Sequence, residues 1–370
     1  MINPRQHLKD IYRMPDDPES HLPYLRLDKN ERIVPFSQRV WERFRELLTP
    51  EAVMAYPELE ALYHQLAMHI GVERDNLFFA TGSDLAIKTV YETFIDPGDT
   101  IQIHIPGYAM YEVYGKIFQA RVNAISYENT LRLDVDAYID AINQNTRMVV
   151  VENPNGFIGT HHSIDVIRAI VKKAQQCGAF VLIDEAYYLF SNQTIQPLYQ
   201  EFDNVIIVRS FSKDLGIAGL RCGYLLSQKE NIQSIFRVKP MHEINSAAVA
   251  FSQALLESPH EINEYVGEVQ QGIRYVKQAL EQLGLVVRGG SGNFVVIYLG
   301  LDIDSAAIIN YLKSRNILIR RPFTAENLKG WLRVGMGAEV QMTQFVTVFA
   351  EALEAAGWRR DRYNPPVVEI

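Results

Sequence analysis

Between about residues 76 and 240 of this chain, short apolar β-rich runs alternate with longer stretches of helical periodicity, and no other feature restricts the fold as strongly. The runs are Leu77-Phe78-Phe79, Thr100-Ile101-Gln102-Ile103, Arg121 to Ile125, Met148-Val149-Val150-Val151, Phe180-Val181-Leu182-Ile183 and Val205-Ile206-Ile207-Val208. Runs of this kind belong to strands buried on both faces, so the pattern predicts an α/β fold with a mostly parallel sheet wrapped by helices. In open sheets of that type ligands bind outside the carboxyl ends of the strands. The residues that follow each run are therefore the ones to weigh for chemistry.

The pattern changes after Pro240. Ser246 to Leu256 and His260 to Leu283 read as helices, and a smaller α+β unit follows, with strands at Leu285 to Val287, Asn293 to Leu299, Ile317 to Ile319 and Trp331 to Val334. Pro4, Pro15, Pro18, Pro23 and Pro35 give the first 45 residues the look of an extended arm. The expected organisation is an N-terminal arm (1–45) joining the small domain, a large domain (46–240) and a small C-terminal domain (241–370). Gly289-Gly290-Ser291-Gly292 precedes a strand and reads as a hairpin-like turn.

The chain has 370 residues, 48% of them hydrophobic and 22% charged, with a formal charge of -8 and no long basic run. That balance argues against nucleic-acid or membrane-surface binding and for small-molecule chemistry. The two cysteines, Cys177 and Cys222, are not spaced as metal ligands, and His161-His162 lacks further ligands nearby and reads as a helix N-terminal or surface pair. No metal is expected. With no apolar run of membrane-spanning length and no secretory pattern at the start, the expected location is cytoplasmic.

The run Val205 to Val208 leads into Arg209-Ser210-Phe211-Ser212-Lys213, and a glycine-punctuated turn separates that lysine from Arg221. A lysine among apolar and small residues at the end of a buried strand is desolvated, which lowers its pKa as Schiff-base chemistry requires. Ser210, Ser212 and Arg221 could together hold a phosphate beside that amine. An amine next to a phosphate site suggests pyridoxal phosphate.

The segment from Ser210 to Tyr224 resembles the cofactor-lysine segment of the fold-type I aminotransferases, in particular the histidinol-phosphate aminotransferase family. The resemblance extends from about Leu25 to Gly337. It implies a large pyridoxal-phosphate-binding α/β domain and a smaller α+β domain, with the Schiff base on Lys213 and the cofactor phosphate on Ser210, Ser212 and Arg221. By the same resemblance Asp184 would pair with the pyridine nitrogen and Tyr187 with the phenolic oxygen, Tyr108 would stack on the ring, and Gly82, Ser83 and Asp84 would form a phosphate loop. Taken alone, the Ser and Asp there are equally ordinary helix caps. Tyr111 reads as packing, and Glu185 has no role that sequence supplies.

In Glu152-Asn153-Pro154-Asn155-Gly156-Phe157-Ile158-Gly159 the chain departs from the family's Asn-Pro turn. Position by position, the asparagine that would donate to the phenolic oxygen falls on Gly156. Asn155 is the expected substitute, the alternative being that Tyr187 acts alone. Tyr56, in Met54-Ala55-Tyr56-Pro57, resembles a tyrosine that reaches the phosphate of a neighbouring subunit and so implies a homodimer with shared active sites. Arg333 would hold the substrate anion with Arg320 beside it, while Arg321 reads as a surface charge. Asn30 lies in an N-terminal segment resembling one that closes over substrate, although Arg32-Ile33 stands where a polar-proline pair is usual.

The resulting expectation is an aminotransferase passing an amino group from a small amino donor, histidinol phosphate or an aromatic or other amino acid, to a 2-oxo acid acceptor. A pyridoxal-phosphate-dependent phosphoamino-acid decarboxylase is the alternative within the same chemistry, and a degenerate, non-catalytic cofactor-binding protein is the alternative from another class.

Overall fold

The computed structural model describes residues 2–11, 19–323, 325 and 328–360; Pro15 and Pro18 of the arm lie outside them. The arm contributes β1 (Leu25–Leu27). The main sheet is made of β2 (Leu77–Ala80), β3 (Thr100–Ile105), β4 (Arg121–Ser126), β5 (Thr146–Glu152), β6 (Phe180–Asp184), β7 (Val205–Ser210) and β8 (Gly223–Ser227), in the order β2-β8-β7-β6-β5-β3-β4. Its pairs are parallel from β4 through to β7. Only β8 runs against its neighbours. That strand was not among the expected ones, because its apolar stretch is just Tyr224-Leu225-Leu226, set between a glycine and a serine.

Alternate residues of each strand feed two cores. Val149, Val151, Val181, Ile183, Val205 and Ile207 pack on one face with Leu62, Leu66 and the helix Ser246–Leu256. Met148, Val150, Leu182, Ile206 and Val208 pack on the other with the helix Gly82–Phe94. Double-sided burial is why these strands are unbroken apolar runs in the sequence.

The helix Pro259–Leu283 carries the chain from one unit to the other: Ile262 sits in the core of the main sheet, Val269 to Leu280 in the core of the second unit. That unit contains β9 (Val286–Gly292), β10 (Phe294–Tyr298), β11 (Ile317–Ile319) and β12 (Trp331–Gly335). Strands β12, β10 and β9 form an antiparallel sheet, while β11 pairs in parallel with β1, Leu25 opposite Ile317. The Gly289-Gly290-Ser291-Gly292 segment is not a turn. It continues β9, with Gly289 and Gly290 at φ +78° and +97° and a register shift against β10, and glycine supplies that backbone freedom where Gly289 passes against Ile158 and Gly159. Among the described residues no helix is long and apolar enough to cross a membrane.

Candidate active site

The strand ends converge as the fold class requires. Lys213 lies just past β7, partly buried, and its Nζ donates to the carbonyls of Lys29 (2.7 Å) and Asn30 (3.2 Å) in the arm. Burial, reinforced by the guanidiniums of Arg333 and Arg221, lowers this amine to about 8. The Tyr187 ring centroid is 6.0 Å from Nζ.

Next to it is a cradle with the chemistry of an anion site. The helix Gly82–Phe94 opens at Gly82, and its first N–H groups have no intrahelical acceptors. Arg221 spans this opening: its Nη1 donates to Ser212 Oγ at 3.3 Å and to Ala218 O at 3.1 Å. A Cβ on Gly82 would fall 2.7 Å from Arg221 Nη2, and one on Gly223 would fall 2.5 Å from Ser83 N. Ser210 Oγ accepts from Ser212 N at 3.2 Å and closes the loop. Two glycines thus keep clear a concavity lined by a guanidinium, hydroxyls and free N–H groups, which suits a phosphate.

At the end of β6 the buried Asp184 accepts from Tyr111 Oη at 2.7 Å and from Ala186 N at 2.9 Å, and burial raises its pKa. Among the described residues no cation pairs with it, so a protonated ring nitrogen would supply the charge it lacks. Tyr108 is 38% exposed at the mouth of the site, with its hydroxyl 3.4 Å from Asp84 Oδ1. The set of groups fits pyridoxal phosphate: an amine of lowered pKa, a phosphate cradle, a buried carboxylate and an aromatic face.

Residues 24–349 match the family described as aminotransferase class I and II. The chain belongs to that family. It is 30% identical over 320 residues to the histidinol-phosphate aminotransferase of Thermoanaerobacter pseudethanolicus, covering 85% of this chain and 89% of the relative. It is 28% identical over 337 residues to that of Sulfurisphaera tokodaii, covering 89% and 90%. The fold is also that of the Sinorhizobium meliloti histidinol-phosphate aminotransferase solved in complex with pyridoxal-5'-phosphate, with a TM-score of 0.85 at 21% identity over 95% of this chain and 97% of the other.

In this class I and II aminotransferase two further arginines adjoin the site, Arg333 acting on the lysine and Arg320 on Arg333. Arg333, on β12, is buried, donates to Gly156 O (2.9 Å) and Asp28 O (3.3 Å), and leaves its Nε without a partner. Burial, with Arg320 beside it, lowers its pKa to about 9. Arg320 stacks over Phe157 with 4.7 Å to the centroid, and Arg333 lies 5.5 Å from the same ring. Neither is ion-paired among the described residues, and both feel the Asp28 carboxylate only at a distance.

The arm completes the enclosure. Asn30, buried at φ +55°, donates from Nδ2 to Tyr187 Oη at 3.1 Å, and its carbonyl accepts from both Lys213 and Asn293. Arg32 explains the unusual Arg32-Ile33 step. It is buried 2.7 Å from Glu261 Oε1, between the rings of Phe36 and Tyr265.

Several expectations need correction in this aminotransferase. Asn155 is committed to its own turn: Nδ2 donates to Pro106 O at 3.0 Å and lies 3.3 Å from His104 Nδ1, while Oδ1 accepts from Phe157 N and Ile158 N. One amide N–H is thus given to the turn itself, and His104 Nδ1, which carries the ring proton when Nε2 accepts from Glu152 N, does not take the other. Tyr111 is more than packing, since it is a donor to Asp184. Glu185, left without a role by sequence, forms a buried ion pair with Arg209 at 2.7 Å. Asp84 is taken up by the hydroxyls of Tyr114 (3.0 Å) and Tyr108, which makes it an anchor for the ring at the mouth. The expectation for Tyr56 is not among those corrected: the ring is 76% exposed and stacked on His242. Among the described residues there is no cluster that could hold a metal ion.

Proposed function

We propose that this pyridoxal-phosphate-dependent aminotransferase takes an amino donor bearing a remote anionic group, with histidinol phosphate the leading candidate, and passes its amino group to a 2-oxo acid. The observation that carries this reading is the unpaired Arg320 and Arg333, held together around Phe157. Burial lowers the pKa of both guanidiniums, and Arg320 lowers that of Arg333 further; a bound phosphate or carboxylate would relieve both. The names of the two relatives point to the same donor.

Pyridoxal phosphate, when bound, supplies an aldehyde that captures the donor amine and a conjugated ring that accepts the electron pair left by the departing Cα proton. Ser210, Ser212, Arg221, Gly82 and Ser83 would hold its phosphate, Tyr108 its ring face, Asp184 its ring nitrogen and Tyr187 its phenolic oxygen. Lys213, with its pKa near 8, reaches the neutral form from about that pH upward and serves as the base for the Cα proton and its carrier for redelivery. Arg333 and Arg320 orient the anion, and Asn30 with the arm keeps water out.

The active form is proposed to be a cytoplasmic homodimer with Tyr56 serving the partner's site. In support, Val53, Met54, Tyr56 and Met241 are large exposed apolar side chains, and both cysteines are free thiols. A monomer in solution with undiminished activity would remove this part of the reading.

A single-turnover absorbance scan of the cofactor-loaded enzyme against histidinol phosphate, glutamate, aromatic amino acids and phosphothreonine tests the substrate. Rapid conversion of the cofactor by histidinol phosphate supports the proposal. Inertness toward histidinol phosphate with conversion by another donor overturns the substrate and names its class.

A further inference from the structure

Glu152 ends β5 directly opposite Asp184 on β6, and both side chains are buried. The titratable groups around it are Asp184, His104, whose Nε2 accepts from Glu152 N, and the hydroxyls of Tyr111, Tyr127, Tyr138 and Tyr187. Burial holds His104 neutral, at about 4, and no cation pairs with Glu152 among the described residues. Two adjacent buried carboxylates without a cation do not both ionise. Burial first, and Asp184 second, push Glu152 up to about 8, so at neutral pH it is the protonated member.

The carboxyl is fixed by backbone. Oε1 accepts from Tyr108 N at 2.5 Å and Oε2 from Gly156 N at 2.9 Å. Both flanking positions are glycines, and each leaves the carboxyl its room. A Cβ on Gly107 would collide with Oε1, and one on Gly156 would lie 3.2 Å from Oε2 and 3.4 Å from Tyr187 Cε2. Oε2 therefore lies in close contact with the place where a side chain at position 156 would begin, near the edge of the Tyr187 ring. A protonated carboxyl can accept from Gly156 N and still donate its own proton.

We propose that the carboxyl of Glu152, lying against the space that a side chain at position 156 would enter, is a second hydrogen-bond donor, beside Tyr187, to the phenolic oxygen of bound pyridoxal phosphate. The inference rests on the cofactor reading given above. Asn155 Nδ2 is turned toward Pro106 O and His104, and Gly156 has no side chain, which leaves Glu152 as a polar group beside the edge of the Tyr187 ring.

The test is a pH titration of the absorbance of the cofactor-loaded enzyme in the wild type, E152Q, E152A and the E152A/G156N double variant, with apoprotein melting as a control for folding. A donor stabilises the anionic oxygen, so its loss raises the pH at which the bound cofactor changes form. Glutamine keeps an N–H donor in nearly the same shape. The expected result is a midpoint in E152Q within about half a unit of the wild type, a rise of about one unit in E152A, and a return toward the wild-type value in E152A/G156N. A midpoint that falls in E152Q would show that Glu152 is ionised and only accepts, and would overturn the proposal, as would an E152A midpoint equal to the wild type. Should E152A fail to fold, E152Q alone decides: an unmoved midpoint supports the donor and a displaced one refutes it. A wild-type protein that takes up no pyridoxal phosphate would refute the cofactor reading itself, a result distinct from any shift among variants.

Discussion

Tyr111 donates its hydroxyl to Asp184 across 2.7 Å of a fully buried site. The bond favours the ionised carboxylate against the burial that disfavours it. Substituting Tyr111→Phe should therefore leave Asp184 easier to protonate and less able to hold a positive ring nitrogen. A lost hydrogen bond to a charged group costs roughly 1.5–3 kcal/mol. The expected outcome is a fall in kcat of about tenfold or more with little change in KM, measured by steady-state kinetics with saturating cofactor.

Lys213 should report its own environment through pH. With the amine at about 8, the rate at which apoprotein captures pyridoxal phosphate should climb as pH rises toward 8 and level off above it. Replacing Arg333 with methionine removes one of the charges that lower this pKa, so the inflection should move upward. The unfolded chain binds the lysine proton up to its ordinary value of 10.5, so stability from this group rises between pH 8 and 10.5. Apoprotein melting of wild type against Lys213→Met over that range should show the difference.

Arg333 and Arg320 should separate in their effects. Each Arg→Met change removes a charge-assisted contact with the substrate anion, worth roughly 1.5–3 kcal/mol, so KM for an anionic donor should rise by about 10- to 100-fold. Arg333 also ties Gly156 and Asp28 together through its Nη atoms, so its loss should lower kcat as well. Arg320, which makes only ring contacts among the described residues, should act mainly on KM.

The strand ends carrying Lys213, Asp184 and the Gly82 turn were legible because a doubly buried strand leaves an unbroken apolar run and its C-terminal residues then stand out. Strand β8 was hidden by its three-residue apolar stretch. The bulged continuation of β9 was hidden because four residues of glycine and serine look like a turn unless the neighbouring Gly159 is known. Asn155 was assigned to the cofactor by position in a motif, whereas the bonds it makes to Pro106, Phe157 and Ile158 depend on how that turn folds back on β3. Glu152 could have been found from one signal, a lone glutamate closing the apolar run Met148 to Val151. Tyr111 carried no signal at all among nineteen tyrosines.

Glu261 should be among the more sensitive positions for stability. Its carboxylate receives Arg32 Nη2 at 2.7 Å with both side chains about 95% buried, and removing one partner of a buried pair strands the other charge. Glu261→Ala should cost about 3–5 kcal/mol, read as a drop in denaturant midpoint. Arg32→Met combined with Glu261→Met should recover much of that loss, and recovery of stability without recovery of kcat would show that Arg32 also sets the position of the arm.

The pairing of Leu25 with Ile317 has a consequence for how the enzyme is made. The carbonyls of Lys29 and Asn30 that hold the reactive lysine belong to the arm, and the strand that anchors the arm is translated nearly three hundred residues later. A ribosome can release a complete main sheet, with Lys213 already at the end of its strand, while the amine still lacks its lid. Contacts of such sequence separation form late, so the nascent large domain would expose an unprotected, nucleophilic amine until the last third of the chain emerges to close over it.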